Sequence, residues 1–154
     1  MSKNLLVVRD VRTSDDEFER EELAETPGGL ELLDAAADVW RLVDVGRADS
    51  IRSITRRAAN RSNAEVRFER EDCLDLGELL HGVDSALTGV VVDADWRLLP
   101  AVTIDAERQL PAVLSSRAGS DREAIVASGI SITRGLANLF RKAVDQHAEV
   151  VLSS

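Results

Sequence analysis

Three β-type runs follow one another closely in the second half of the chain, at residues 88–93, 96–104 and 109–115. Runs spaced so closely are predicted to pair as an antiparallel meander. The link between the first two runs contains Asp93 and Asp95. Aspartate suits a tight turn because its side chain accepts hydrogen bonds from the backbone. A hairpin with an acidic tip is therefore predicted between these runs.

The same turn also looks like the start of an aspartate-nucleophile phosphatase, with Asp93 as nucleophile and Asp95 as the second acid. That chemistry needs a small residue after the second acid, where Trp96 stands, and a further acidic pair for magnesium, which does not follow. We therefore predict no catalytic residue, no metal ligand and no cofactor, so the protein is predicted not to be an enzyme. A phosphatase-type enzyme remains the least favoured alternative.

The first half of the chain contains a predicted strand-helix-strand unit. Residues 38–45 are predicted to form a strand, and residues 64–69 form the next predicted strand. The first strand would have Val39, Arg41 and Val43 on one face and Trp40, Leu42 and Asp44 on the other. Ile51, Ile54 and Ala58 lie between them at helical spacing. Because the connection is long enough for a right-handed crossover, the two strands are predicted to be parallel.

The last element is a predicted helix that begins near Ser131 or Thr133 and runs to about Val150. The fold class is therefore α/β, with a mixed sheet, a parallel strand-helix-strand unit, an antiparallel meander and a C-terminal helix. Two regions are predicted: an acidic N-terminal strand or arm at residues 1–29, and a single α/β domain at residues 30–154.

Composition restricts the environment of the protein more than its chemistry. The net charge of −9 argues against general nucleic-acid binding, and 17 of the 19 basic residues are arginine, because only Lys3 and Lys142 are lysines. Acid excess with scarce lysine resembles the proteins of salt-loving archaea, although a GC-rich genome would also favour arginine over lysine. No apolar run approaches the ~18 residues that cross a bilayer, so we predict a cytoplasmic protein without membrane contact. The single cysteine, Cys73, excludes an internal disulfide.

One segment has a net positive charge, although the chain as a whole is acidic. Between residues 46 and 70, seven arginines stand against three acidic residues. Arginines spaced four apart share one helix face, which makes this segment a candidate site for an anionic ligand or a phosphate backbone. The alternative is a solvated helix face that pairs with acidic neighbours. The predicted binding residues are Arg47, Arg52, Arg56, Arg57 and Arg61.

The order of these segments carries a family resemblance. DVWRLVDV is followed by AEVRFE, by GVVVDADWRLLPAVTID and by the closing RGLANLFRKAVDQHAEVV. This order resembles the C-terminal effector domain of haloarchaeal transcription regulators of the TrmB-like and TbsP-like group, which has a non-catalytic, phospholipase-D-like fold. The resemblance covers about residues 30–150.

That resemblance implies a regulatory domain that senses a small metabolite or mediates dimerisation. We expect a homodimer, formed through the last helix and the hairpin of residues 88–104, with a small anionic metabolite or another protein as partner. Residues 1–29 are too short and too acidic to form the winged helix with which such regulators read DNA. A nucleic-acid-associated regulator that binds through the arginine-rich helix remains the alternative.

Overall fold

The computed structural model describes residues 3–61, 65–86, 90–92, 98–100 and 121–153. The strands are β1 (Asn4–Ser14), β2 (Glu17–Pro27), β3 (Arg67–Phe68), β4 (Val90–Val92), β5 (Leu98–Pro100) and β6 (Glu149–Ser153). The helices are α1 (Glu31–Arg41), α2 (Val45–Arg61), α3 (Arg70–Leu80), α4 (Val83–Ala86) and α5 (Asp121–Asp145). Within this described part, no helix has the length and apolar character that crossing a membrane requires.

The main sheet has four strands in the order β2-β1-β6-β3, and every pairing in it is antiparallel. The first half of β1 lies in the centre, where Asn4 pairs with Ser153 and Val8 with Glu149. Its second half continues beyond β6 and pairs with β2 alone. The end of the β1-β2 hairpin therefore projects from the sheet, and Phe18 near its turn is 64% exposed.

The N-terminal residues that were predicted as an acidic strand or arm form this hairpin. The acidic stretch at residues 17–27 is β2. The chain leaves β2 at Pro27, and the following Gly28 has φ +114°, a left-handed value that favours glycine. The N–H of Gly28 donates to the carbonyl oxygen of Lys3 over 2.8 Å, which fixes the exit towards α1.

One face of the sheet packs against the helices and forms the main core. Leu5, Val7 and Val150 are fully buried on this face together with Phe68. The ring of Phe68 meets the ring of Phe140 on α5 edge-on, with 5.3 Å between the centroids. Because α1, α2 and α3 also contribute to this core, it holds the sheet and the helices together.

The opposite face carries a smaller apolar cluster of Leu6, Val8 and Val151. A network of ion pairs lies beside it, because the register places Arg67 opposite Val151 and Glu149 opposite Val8. Three ion pairs make up this network, which joins β2 to β3 and β6. The N–O distances are 2.9 Å from Arg20 to Glu65, 3.1 Å from Arg67 to Glu65 and 2.8 Å from Arg67 to Glu149.

The predicted strand at residues 38–45 is wrong. Residues up to Arg41 belong to α1, and α2 begins at Val45. Leu33, Ala36, Ala37 and Trp40 are buried at helical spacing, and this period overrides the alternation that suggested a strand. Without that strand there is no parallel strand-helix-strand unit, and no pair of strands within the described ranges is parallel.

The C-terminal helix is present, but it ends at Asp145 rather than near Val150. His147 has φ +51° and the N–H of Ala148 donates to the carbonyl oxygen of Ala143 over 2.8 Å, a helix-ending arrangement. The β-branched pair Val150 and Val151 then enters the sheet as part of β6.

The predicted meander is present in part. β4 and β5 pair antiparallel, with Val91 opposite Leu99, as the hairpin interpretation requires. The acidic tip with Asp93 and Asp95 lies outside the described residues, as does the third predicted run at 109–115.

Candidate anion-binding site

The five arginines predicted to bind an anion all lie on α2, but most of them contact other parts of the protein. Arg52 pairs with Asp38 on α1, and Arg57 and Arg61 both pair with Asp72 on α3. The exposed Arg56 has no ion pair within the described residues. These contacts favour the alternative of a helix face that pairs with acidic neighbours.

Asp72 is the centre of the arginine contacts. Its side chain is only 2% exposed and lies 2.5 Å from Arg57 and 2.9 Å from Arg61, measured from carboxylate oxygen to guanidinium nitrogen. It also accepts the backbone N–H of Glu69 over 3.0 Å and so caps the start of α3. Burial acts to raise the pKa of Asp72, but the hydrogen bonds from Arg61, Arg57 and Glu69 outweigh it, and the pKa lies below its usual value.

Arg47 has a different environment from the other four. Its guanidinium carbon lies 4.2 Å from the ring centroid of the buried Trp40, a cation–π contact. Its Nη1 lies 3.5 Å from the carbonyl oxygen of His81. Arg47 also lines a cavity of about 450 Å³ between α2 and α3, together with Asp75 and Glu78. Because two acids share this lining, the cavity has no net positive charge.

A second cavity, on the other side of His81, has the opposite character. It has a volume of about 320 Å³ and lies between α4, the end of α3 and the middle of α5. Within the described part of the chain, its lining contains no aspartate or glutamate. We call it the basic cavity, and its polar lining residues are His81, Ser85, Arg134, Asn138 and Arg141.

The elements around the basic cavity explain how these side chains meet. Arg134, Asn138 and Arg141 are spaced four and three residues apart on α5, so they project from one face of the helix. His81 ends α3, and Gly82 follows with φ +85°, which turns the chain into α4. Ser85 on α4 then lies across the cavity from α5.

His81 and Arg141 are in direct contact. Arg141 Nη1 lies 3.2 Å from His81 Nδ1. A neutral imidazole that accepts this hydrogen bond at Nδ1 carries its own hydrogen on Nε2, where it is a donor. The pair therefore offers an imidazole N–H and the remaining guanidinium N–H groups. With the amide of Asn138 nearby, the lining is suited to an acceptor such as a carboxylate or phosphate oxygen.

A third cavity of about 200 Å³ lies on the other side of the same pair, between α3 and α5. We call it the apolar groove after Leu74, Gly77 and Val144, although charged or polar residues also line it, namely Glu78, His81, Arg141 and Asp145. A Cβ atom added to Gly77 would lie 3.3 Å from Cγ of Arg141, so the stem of Arg141 passes closely over α3 at this glycine.

Other chemistry is poorly supported within the described residues. No group of three or more histidine, cysteine, aspartate or glutamate side chains is arranged there to hold a metal ion. Cys73 is buried, and desolvation raises the pKa of its thiol to about 12, so it is not a thiolate at neutral pH.

The basic cavity was not predicted from the sequence, because only the apolar face of α5 was considered and not the polar face beside it. Leu136, Leu139 and Phe140 form an apolar stripe that indicates a helix, and Arg134, Asn138 and Arg141 form a polar stripe beside it. The spacing of that stripe was the available signal. Nothing in the sequence showed that His81, from another helix, meets the same stripe.

No protein family, curated protein or solved structure matches the chain. The assignment of function therefore depends on the side chains that line the cavities.

Proposed function

We propose that this protein is a non-enzymatic regulatory domain that senses a small anionic metabolite in the basic cavity. The observation that carries the proposal is the lining itself. Arg141 and His81 are in contact there with Asn138 beside them, and no aspartate or glutamate is among the described residues that line the cavity. This local group of hydrogen-bond donors contrasts with the acidic character of the whole chain, whose net charge is −9.

The electrostatics support selective rather than general anion binding. A surface with a large excess of carboxylates repels anions at long range, so an anion gains from this protein only where cationic groups are grouped together. Arg141 is suited to such a role, because its guanidinium pairs with no carboxylate in the described residues and contacts His81 instead. Arg57 and Arg61, by contrast, are already paired with Asp72.

The family resemblance points in the same direction. Effector domains of haloarchaeal transcription regulators use small-molecule binding, and the proposal gives this chain the same type of role, as a homodimer. Light scattering at high salt should then give the mass of two chains. A monomer across the accessible concentration range would remove the dimer from the proposal and leave the anion site standing.

The binding proposal is tested by titration with inorganic phosphate, sulfate and acetate at constant ionic strength, followed by the backbone amide shifts of residues 80–86 and 134–141. Saturable shifts are expected in the wild-type protein, with binding at least tenfold weaker in Arg141→Gln. The matched control is Arg56→Gln, which removes the same charge from an exposed position on α2. Shifts that do not saturate, or equal weakening by both substitutions, would overturn the proposal.

A further inference from the structure

We infer that the sensed anion is a monocarboxylate with an apolar chain, held with its carboxylate in the basic cavity and its chain in the apolar groove. The binding of the ligand's anionic end rests on the proposed function. The further observation is that His81 and Arg141 line both the basic cavity and the apolar groove. One ligand can therefore contact this pair and reach into both spaces.

The apolar groove presents two aliphatic side chains that a hydrocarbon chain can contact. Leu74 is 48% exposed on α3, although it is a large apolar residue outside the core, and it faces the groove together with Val144 on α5. Gly77 between them contributes no side chain, which leaves the groove open beside the stem of Arg141. A chain laid here would remove Leu74 and Val144 from water.

The charges around the groove define the rest of the ligand. Glu78 and Asp145 also line it, so a second anionic group within the groove would be repelled. Glu78 also reduces the net positive charge near His81 and Arg141, which favours a singly charged carboxylate over a doubly charged phosphate. The expected ligand therefore has one charge, at the end that enters the basic cavity.

The test is a series of amide-shift titrations with acetate, butyrate, hexanoate and octanoate at constant pH and salt. Affinity should rise by up to about fourfold for each added methylene group that the groove buries. Adipate, which has the length of hexanoate but a second carboxylate, should bind at least tenfold more weakly than hexanoate. Shift changes should extend from residues 81–86 to residues 74–78 as the chain lengthens.

The substitution Leu74→Ser separates the groove from the anion site. It should leave acetate binding unchanged and reduce the gain between acetate and octanoate at least fivefold. Val45→Ser is the matched control, because Val45 is also an exposed apolar residue, 55% exposed, on a different helix. It should leave the whole series unchanged.

The outcomes distinguish this inference from the proposed function. Equal affinities across the series, or adipate binding as tightly as hexanoate, would overturn the inference while the anion site remained. Absence of saturable binding by every anion would overturn both. If the increase in affinity from acetate to octanoate is unchanged in Leu74→Ser, the hydrocarbon chain of the ligand binds elsewhere, which would likewise contradict the inference.

Discussion

Asp72 on α3 accepts a hydrogen bond from Arg61 on α2, with 2.9 Å between Oδ2 and Nη1, although the Asp72 side chain is only 2% exposed. Arg57 binds the other carboxylate oxygen. A buried carboxylate is stable only when its lost hydration is replaced, and here two arginines and a backbone N–H replace it. The arginine-rich helix is thereby attached to α3.

Replacement of Asp72 by asparagine should lower the free energy of unfolding by about 2 kcal/mol, because the amide has no negative charge and keeps only one acceptor oxygen for the two arginines. Urea unfolding followed by circular dichroism measures the change. Asp75→Asn on the same helix is the control, since Asp75 is exposed, and its effect should stay within about 0.5 kcal/mol. Equal losses would show that Asp72 has no special role.

The arginines of α2 should differ in the same way. Arg61→Ala should lower the free energy of unfolding by about 1 kcal/mol, because it removes the contact with Asp72 and a second one with Glu69 at 3.4 Å. Arg56→Ala should have no measurable effect. A stability loss at Arg56 as large as at Arg61 would contradict the pairing pattern.

Stability should fall in acid through two carboxylates. Hydrogen bonds from Arg20 lower the pKa of Glu65, and at Asp72 the arginine hydrogen bonds outweigh burial, so its pKa is lowered too. A pKa that is lower in the folded state means that the unfolded chain takes up protons first as pH falls. The stability that these groups provide is therefore complete above the unfolded-state pKa of about 4 and is lost as pH falls through the folded-state values.

The measurement is the free energy of unfolding between pH 7 and pH 3 at fixed salt. The variant Glu65→Gln with Asp72→Asn should be less stable than wild type at pH 7 and should approach it near pH 3. Parallel curves for the two proteins would show that these groups do not titrate differently on folding.

Two glycines of α5 should respond in opposite ways to alanine. A Cβ at Gly129 would overlap Cγ2 of Val39, so α1 and α5 approach closely there, and Gly129→Ala should cost about 1–3 kcal/mol through overpacking. At Gly135 no atom from elsewhere in the described structure lies within 4 Å of the added Cβ, and Gly135→Ala should stabilise the helix by up to about 1 kcal/mol. Thermal unfolding compares them, and the same sign for both would contradict this packing.

The sequence was sufficient for elements with a strong local signal. The spacing of Ile51, Ile54 and Ala58 predicted the buried face of α2, which is confirmed. The predicted strand at residues 38–45 was wrong because the position of Trp40 fits both the two-residue repeat of a strand and the ~3.6-residue repeat of a helix. Only packing against α2 and α5 decides between them.

The site was harder to predict because its residues meet through tertiary structure. The charge excess of α2 was visible, but its pairing with Asp38 and Asp72 depends on α1 and α3 packing on either side. The contact between His81 and Arg141 joins residues 60 positions apart. Composition and local spacing contain no information about which helices become neighbours.

The pairing of β1 with β6 has a consequence for how the chain folds. Asn4 and Ser153 are hydrogen-bonded although 149 positions separate them, so the middle of the sheet forms by closing a very long loop. The β1-β2 hairpin pairs residues that are close in sequence, so its contacts are expected to form before those between β1 and residues 149–153, and until then one edge of β1 is unpaired. The glutamates of β2 give neighbouring hairpins the same charge, which discourages them from joining edge to edge during that interval.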